Sequence, residues 1–273
     1  MIETPATAVI VTTYNRPDAL ERVLDGYSEQ AGARFELLVA DDGSGEATRE
    51  LVEAYARNAP FPLRHVWQED LGFRAGAARN RALSMMAADY VIFTDGDCVP
   101  PHSFVSRHVE LAEPGRFVAG NRILLSESFT AEVLAQRLPI HRWRTPRWLA
   151  AWVVRDVNRA LPLVHLPDGA FRRSAPNRWE GVKTCNFAAW RQDLARVNGF
   201  DERYAGWGLE DSDLVLRLLH AGVMHKSARF AAPVFHLWHR ENDRSRLPGN
   251  QARLDELIAS RRVAALEGLD RYS

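Results

Sequence analysis

Short β-branched runs alternate with helix-period segments through the first hundred residues, and this alternation constrains the fold more than any other feature. Ala8-Val9-Ile10-Val11 reads as a fully buried strand ending in the polar Thr12-Thr13-Tyr14-Asn15. Pro17 suits the first turn of a helix, with Asp18 and Glu21 near its positive end. Leu20, Val23, Leu24 and Tyr27 then share one apolar face. Residues 35–40 give a second strand, stopped by Asp41-Asp42-Gly43-Ser44-Gly45. A helix over 46–57, a strand over 63–67 and a helix over 76–87 follow. Tyr90-Val91-Ile92-Phe93 closes the series and runs into Thr94-Asp95-Gly96-Asp97. This order predicts an α/β fold with a mostly parallel sheet and helices on both faces. Ligands of such sheets sit outside the carboxyl ends of the strands. Three strands here end in polar clusters, at 12–16, 41–44 and 95–97. One such cluster is ordinary turn chemistry; three together point to a nucleotide site.

The alternation stops over 127–179, which holds Trp143, Trp148, Trp152 and Trp179 among several prolines and many arginines. Helix-like residues 211–221 and strand-like residues 231–235 come next. Leu254, Leu257 and Ile258, with Ala265 and Leu266, predict a C-terminal helix.

Composition excludes several classes. With 35 Lys and Arg against 35 Asp and Glu, the chain is no globally basic nucleic-acid coat. Cys98 and Cys185 are its only cysteines, too few for a disulfide framework or a CxxC zinc site, and both read as small buried residues. Met1-Ile2-Glu3-Thr4-Pro5 lacks the basic-then-apolar run of a signal peptide, and no stretch nears the roughly 18–20 apolar residues that span a bilayer. The expectation is a cytoplasmic protein with no nucleic-acid partner. Neutrality is nevertheless an average. Between 137 and 178, nine arginines face only Asp156 and Asp168, a local excess of seven positive charges. That stretch reads either as a solvated helical insertion with tryptophans packed inward, or as a surface for anionic lipid headgroups or an anionic acceptor.

Three motifs carry chemistry. Asp95-Gly96-Asp97 sets two carboxylates past a buried strand, where they can share a divalent cation with a diphosphate, and Gly96 permits a tight turn there. An acidic turn is the plainer reading. Gly206-Trp207-Gly208-Leu209-Glu210-Asp211-Ser212-Asp213 opens a helix. Its acids complement the helix dipole on one reading; on the other, a general base stands beside a Trp platform for a sugar ring. In His236-Leu237-Trp238-His239 the two histidines cannot share a strand face but can meet in a turn. His236, nearest the strand end, is the preferred metal ligand, with His239 a second candidate.

Together these segments resemble an inverting glycosyltransferase of the GT-A fold, family 2, with an acceptor-side region similar to galactosyltransferases and chondroitin polymerases. The likeness is carried by the residues from Val9 to Arg16, by 35–44, by Leu71-Gly72-Phe73-Arg74 with Ala78-Arg79-Asn80, and by Thr94-Asp95-Gly96-Asp97-Cys98. Asn198-Gly199-Phe200-Asp201-Glu202 and 206–214 carry it on the acceptor side. It covers roughly 8–239, matching weakly over 127–179. It implies one transferase module, with a nucleotide-sugar half at 1–126, the insertion at 127–180, an acceptor and catalytic half at 181–242 and a tail helix at 243–273.

The resemblance also implies roles. Thr12 and Tyr14 hold the base, Tyr14 by stacking, and Asp42 accepts from the uracil ring N–H. Arg79, assisted by Arg74, lies near the base or diphosphate, and Arg16 belongs to the same side. Asp95 faces the ribose or metal waters. Asp97 and His236, with His239, hold Mn²⁺ or Mg²⁺. Asp211 is the general base; Glu210 and Trp207 meet the acceptor. The implied reaction is an inverting transfer from a nucleotide sugar to a glycan or lipid-linked acceptor, in surface-polysaccharide or lipopolysaccharide synthesis, with 137–178 as candidate contact to the inner membrane face. A sugar-1-phosphate nucleotidyltransferase is the rival enzyme, but it calls for a Gly-rich triphosphate loop where Thr12-Thr13-Tyr14-Asn15-Arg16 stands. A catalytically silent sugar-binding protein is the non-enzymatic rival, and the intact acidic motifs speak against it.

Overall fold

The computed structural model describes residues 5–241 and 243–272; residues 1–4, on which the signal-peptide reading rests, lie outside them. Strands β1 (Thr7–Thr13), β2 (Glu36–Asp41), β3 (Leu63–Trp67) and β4 (Tyr90–Asp95) lie parallel in the order β3-β2-β1-β4. Alternate side chains of each strand enter two separate cores. Val9, Val11, Leu37, Val39 and Ile92 pack with helices α1 (Pro17–Ser28) and α2 (Glu46–Ala56). Ala8, Ile10, Leu38, Ala40, Val91 and Phe93 pack against α3 (Ala75–Met85) on the opposite face. Burial on both faces is why β1, β2 and β4 read as continuous apolar runs, whereas β3 at the sheet edge is mostly half-buried.

The other half of the sheet is less legible. Strand β8 (Asn186–Trp190) pairs antiparallel with β4, and β6 (Arg116–Ala119) and β9 (Met224–Ser227) extend the sheet beyond it. Three short strands, β5 (Cys98–Val99), β7 (Arg122–Leu124) and β10 (Val234–His236), make a second sheet in the order β5-β10-β7. Helices α4 (Phe104–Leu111), α5 (Glu127–Ala135) and α6 (Thr145–Val153) close the first core, α7 (Arg191–Arg196) and α8 (Glu210–His220) the second. Helix α9 (Leu247–Ser260) packs Leu254 and Leu257 on Leu216 of α8.

Three expectations are corrected. The strand read over 231–235 starts only at Val234, because the Ala231 and Ala232 N–H groups turn back to the Ala228 carbonyl and Pro233 offers no donor. The C-terminal helix ends at Ser260, where Arg261 turns left-handed (φ +52°), so Ala265 and Leu266 lie beyond it. The 127–180 insertion is helical only through Val153; after it come 3₁₀ turns at Leu161–Leu163 and Ala170–Arg173 in irregular chain. Trp148 is buried and stacks on Phe235 with ring centroids 3.9 Å apart, while Trp152 remains 48% exposed.

Candidate active site

The polar ends of β1, β2 and β4 meet the N-terminus of α8 and the chain after β10 around a cleft of about 630 Å³. Thr12, Tyr14, Arg16, Asp42, Arg79, Asp95, Asp97, Trp207, Glu210, Asp211, His236 and His239 all line it. Arg74 does not. Its side chain turns out to the Glu69 carbonyl (2.5 Å), while its backbone N–H donates to Asp42 Oδ2 at 2.6 Å.

Arg79 is the hub. Buried on α3, it donates to Thr12 Oγ1 (2.9 Å), Asp95 Oδ1 (3.0 Å) and Glu210 Oε1 (3.5 Å), and its Nη1 lies 3.9 Å from Asp211 Oδ1. Its other face lies over Phe200, 5.3 Å from the ring centroid. Burial alone would depress the guanidinium pKa, but Asp95, Asp211 and Glu210 outweigh it and hold the charge. The neighbouring Asn80 is structural: its amide clasps the backbone N–H and carbonyl of Phe200. The acids respond in kind. Burial, then Asp211, pushes Glu210 up to about 7 against the pull of Arg79. Asp95, with 32% of its side chain open to the cleft, is raised by burial and by Asp97 and Asp211, with Arg79 opposing.

Asp211 sits in the first turn of α8. Its Oδ1 accepts from the Thr184 hydroxyl, and Lys183 Nζ stands 4.0 Å from its Oδ2. The bend before the helix is forced, with Gly206 (φ +75°), Gly208 (φ +107°) and Leu209 (φ +75°) all left-handed. A left-handed leucine costs roughly 1–2 kcal/mol, and strain of this kind concentrates at functional sites. The bend delivers Trp207 to the cleft, where Arg244 lies 4.9 Å from its ring centroid.

On the nucleotide side, Tyr14 is 47% exposed and donates its hydroxyl to Asp70 (2.8 Å). Asp42 is buried and accepts from Gln68 Nε2 (2.6 Å) as well as from Arg74 N; burial raises its pKa against those two bonds. Arg16 is held by Asp18 (2.9 Å). Gly96 is required for a reason other than the turn: a Cβ there would lie 2.8 Å from Thr13 Oγ1.

His236 ends β10, and the chain leaves the strand so that both histidines reach one carboxylate. His236 Nε2 lies 3.7 Å from Asp97 Oδ1 and His239 Nε2 lies 3.5 Å from Asp97 Oδ2. Two ligands about 2.1 Å from a shared ion stand roughly 3–4 Å apart, so each histidine's spacing from Asp97 suits a shared divalent cation. Asp97, Cys98 and His236 bring donor atoms within 4.8 Å of one another, a group that His239 does not join. A carboxylate with imidazoles is a donor set that suits Mn²⁺ or Zn²⁺. Cys98 and Cys185 are free and buried, as their sequence reading held.

Sequence reasoning missed several cleft residues, among them Phe73, Arg122, Lys183, Trp238 and Arg244. Phe73 and Trp238 stood inside motifs already singled out, and Lys183 carried a signal as one of two lysines in an arginine-rich chain, whereas Arg122 and Arg244 carried none.

Known proteins resemble this chain in sequence and in fold. The sequence profile of glycosyl transferase family 2 matches residues 8–171, and a profile described as the N-terminal domain of galactosyltransferase matches 170–240. Validoxylamine A glucosyltransferase of Streptomyces hygroscopicus subsp. jinggangensis is 31% identical over 237 residues, covering 80% of this chain and 52% of that protein. Hyaluronan synthase of Pasteurella multocida is 28% identical, covering 81% of this chain and 23% of that protein. The chain thus spans about half, or less, of the length of these relatives. A mannosyltransferase from Pyrobaculum calidifontis, solved with GDP-Man and Mn²⁺, superposes with a TM-score of 0.61 at 21% identity, covering 88% of this chain and 59% of that one. S. aureus TarS in complex with UDP-GlcNAc superposes with a TM-score of 0.60 at 15% identity, covering 98% and 69%. At such identities the structural likeness speaks to the fold.

Proposed function

Because the chain belongs to glycosyl transferase family 2 and has the GT-A fold, we propose that it is a metal-dependent inverting transferase. It moves a sugar, a hexose or N-acetylhexosamine on a uridine diphosphate, to a hydroxyl of a glycan or lipid-linked acceptor. The product is a β-glycoside of a surface polysaccharide or lipopolysaccharide. One observation carries this reading: a carboxylate at a helix N-terminus, Asp211, shares the cation Arg79 with the end of the strand that leads to Asp97.

The chain's own residues supply the chemistry. Tyr14 offers an exposed ring for the base. Asp42 has two of its roughly four acceptor sites filled by Gln68 and Arg74 and keeps others for the uracil N–H. Arg79 locks Thr12, Asp95 and Glu210 into one wall, so the donor meets a preorganised surface. Asp97, His236 and His239 would hold the divalent cation, which when bound compensates the charge of the diphosphate. The acceptor hydroxyl attacks the anomeric carbon from the face opposite the diphosphate, forming the new C–O bond as the old one breaks. Asp211 takes the hydroxyl proton, its carboxylate oriented by Thr184 and Lys183. Trp207 gives the acceptor sugar a flat apolar face, and Glu210 a hydrogen-bonding partner.

Membrane association is the outer part of the reading. No helix among the described residues is long and apolar enough to cross a membrane. Leu149, Trp152, Val153 and Val154 are exposed at the end of α6 beside Arg155, an amphipathic edge that fits a peripheral contact on the cytoplasmic side. Liposome co-sedimentation with no dependence on anionic lipid would remove that part.

A thermal-shift screen of nucleotide sugars with and without Mn²⁺ tests the core of it. A UDP-sugar should stabilise the protein most, and only with the metal. Stabilisation by guanosine or cytidine nucleotides instead would reassign the donor.

A further inference from the structure

A second cavity of about 360 Å³ opens directly off the cleft, and Arg122, Leu124, Lys183 and Cys185 line both. Its volume falls within the about 300–1,000 Å³ of small-ligand sites. Arg122, Arg159, Arg178, Lys183 and Arg229 converge on it with His225, and no acidic residue among the described residues lines it. The five cations come from four parts of the chain: β7, the irregular segment after α6, the approach to β8, and the turn after β9. Arg122, Arg159, Arg178 and Arg229 have no carboxylate within 4.0 Å among the described residues. Elsewhere in the basic stretch, Arg144, Arg147 and Arg155 also have no carboxylate within 4.0 Å among the described residues, but they line neither cavity, and other arginines there are neutralised. Arg137 pairs with Glu21, Arg142 with Glu29, and Arg173 with Glu113. Unneutralised like charges that face one concavity repel one another, and an anion relieves that repulsion.

The position of Lys183 says which ligand. Its ammonium lies 4.0 Å from Asp211, and the residue lines both the cleft and the basic chamber. A hydroxyl at Asp211 therefore belongs to a molecule whose next group reaches the chamber. We infer that the chamber binds an anionic substituent, a carboxylate or a phosphate, of the acceptor saccharide. This rests on the transferase reading of the cleft and narrows its acceptor to an acidic sugar or a sugar phosphate.

Saturation-transfer NMR with methyl β-glucuronide, glucose 6-phosphate and methyl β-glucoside tests it, on the wild-type chain and on Arg159→Ser/Arg178→Ser/Arg229→Ser. These three arginines are exposed, so their replacement should leave the fold intact, which an unchanged melting temperature checks. At least one acidic sugar should bind more tightly than the neutral glucoside. The variant should lose about tenfold of that affinity, the worth of one charge-assisted hydrogen bond, and added salt should weaken the wild-type complex. The glucuronide and phosphate arms assign the anion. Equal binding of all three sugars, or unchanged acidic-sugar affinity in the variant, would overturn the inference. UDP binding is measured on both proteins in parallel. Its loss in the variant would give the chamber to the donor diphosphate and also overturn the inference. Failure of UDP to bind either protein, with acidic-sugar binding intact, would instead sink the donor reading and leave the chamber standing.

Discussion

Arg79 Nη2 lies 3.0 Å from Asp95 Oδ1, joining α3 to the end of β4 beneath the cleft. The same guanidinium reaches Thr12 on β1 and Glu210 on α8, so one side chain ties three strand and helix ends into a single wall.

Arg79→Lys should therefore lower both stability and nucleotide affinity. A lysine ammonium cannot span three partners in a planar fork, and hydrogen bonds to charged groups contribute about 1.5–3 kcal/mol each. Urea unfolding should show a loss of that order, and calorimetry a weaker UDP complex. Wild-type UDP affinity in this variant would remove Arg79 from the donor site.

Glu210 predicts a pH dependence. Its folded pKa stands near 7 against an ordinary 4.5, raised first by burial and then by Asp211. The folded state thus binds more protons than the unfolded state between those values, so stability falls as pH rises from about 4.5 to 7. Melting temperature across that window should show the fall, and Glu210→Gln should flatten it. An identical slope in the variant would assign the effect elsewhere.

Asp213 separates stability from chemistry two residues from Asp211. It is fully buried against Arg217 at 2.6 Å, and Arg217 also caps the Val197 and Gly199 carbonyls. Removing one partner of a buried pair costs about 3–5 kcal/mol. Asp213→Ala should lose stability of that order, as measured by denaturant unfolding. A variant as stable as the wild type would show the pair to be dispensable.

Asp97 predicts the metal. Electron paramagnetic resonance titration of Mn²⁺ in the presence of UDP should show binding lost in Asp97→Ala and weakened in His239→Ala. Unchanged Mn²⁺ affinity in Asp97→Ala would contradict the assignment of that carboxylate.

The parallel half of the sheet was legible because local pattern and tertiary role coincide there. Strands β1, β2 and β4 are buried on both faces, so their apolar runs are unbroken, and α1 keeps one apolar stripe; β3, at the sheet edge, is mostly half-buried. The site residues on those strand ends were legible for the same reason. Strand β8 was not: Asn186 to Trp190 owe their strand to pairing with β4 on one side and β6 on the other, a contact between distant parts of the chain. The three-stranded sheet is held by segments of two or three residues, too short for any period to register. Because β7 belongs to it, Arg122 escaped notice. The basic stretch was legible as a charge excess only. Which of its arginines are neutralised depends on Glu21, Glu29 and Glu113, far away in sequence.

Exchange of one oxygen for nitrogen tests the central claim most directly. Asp211→Asn keeps the size and the Thr184 contact but removes the proton acceptor. Single-turnover transfer by this variant, with nucleotide-sugar affinity measured on the same sample, should fall by about 10²–10⁴-fold while donor binding holds. Transfer at the wild-type rate with donor bound would contradict the assignment of Asp211 as the base.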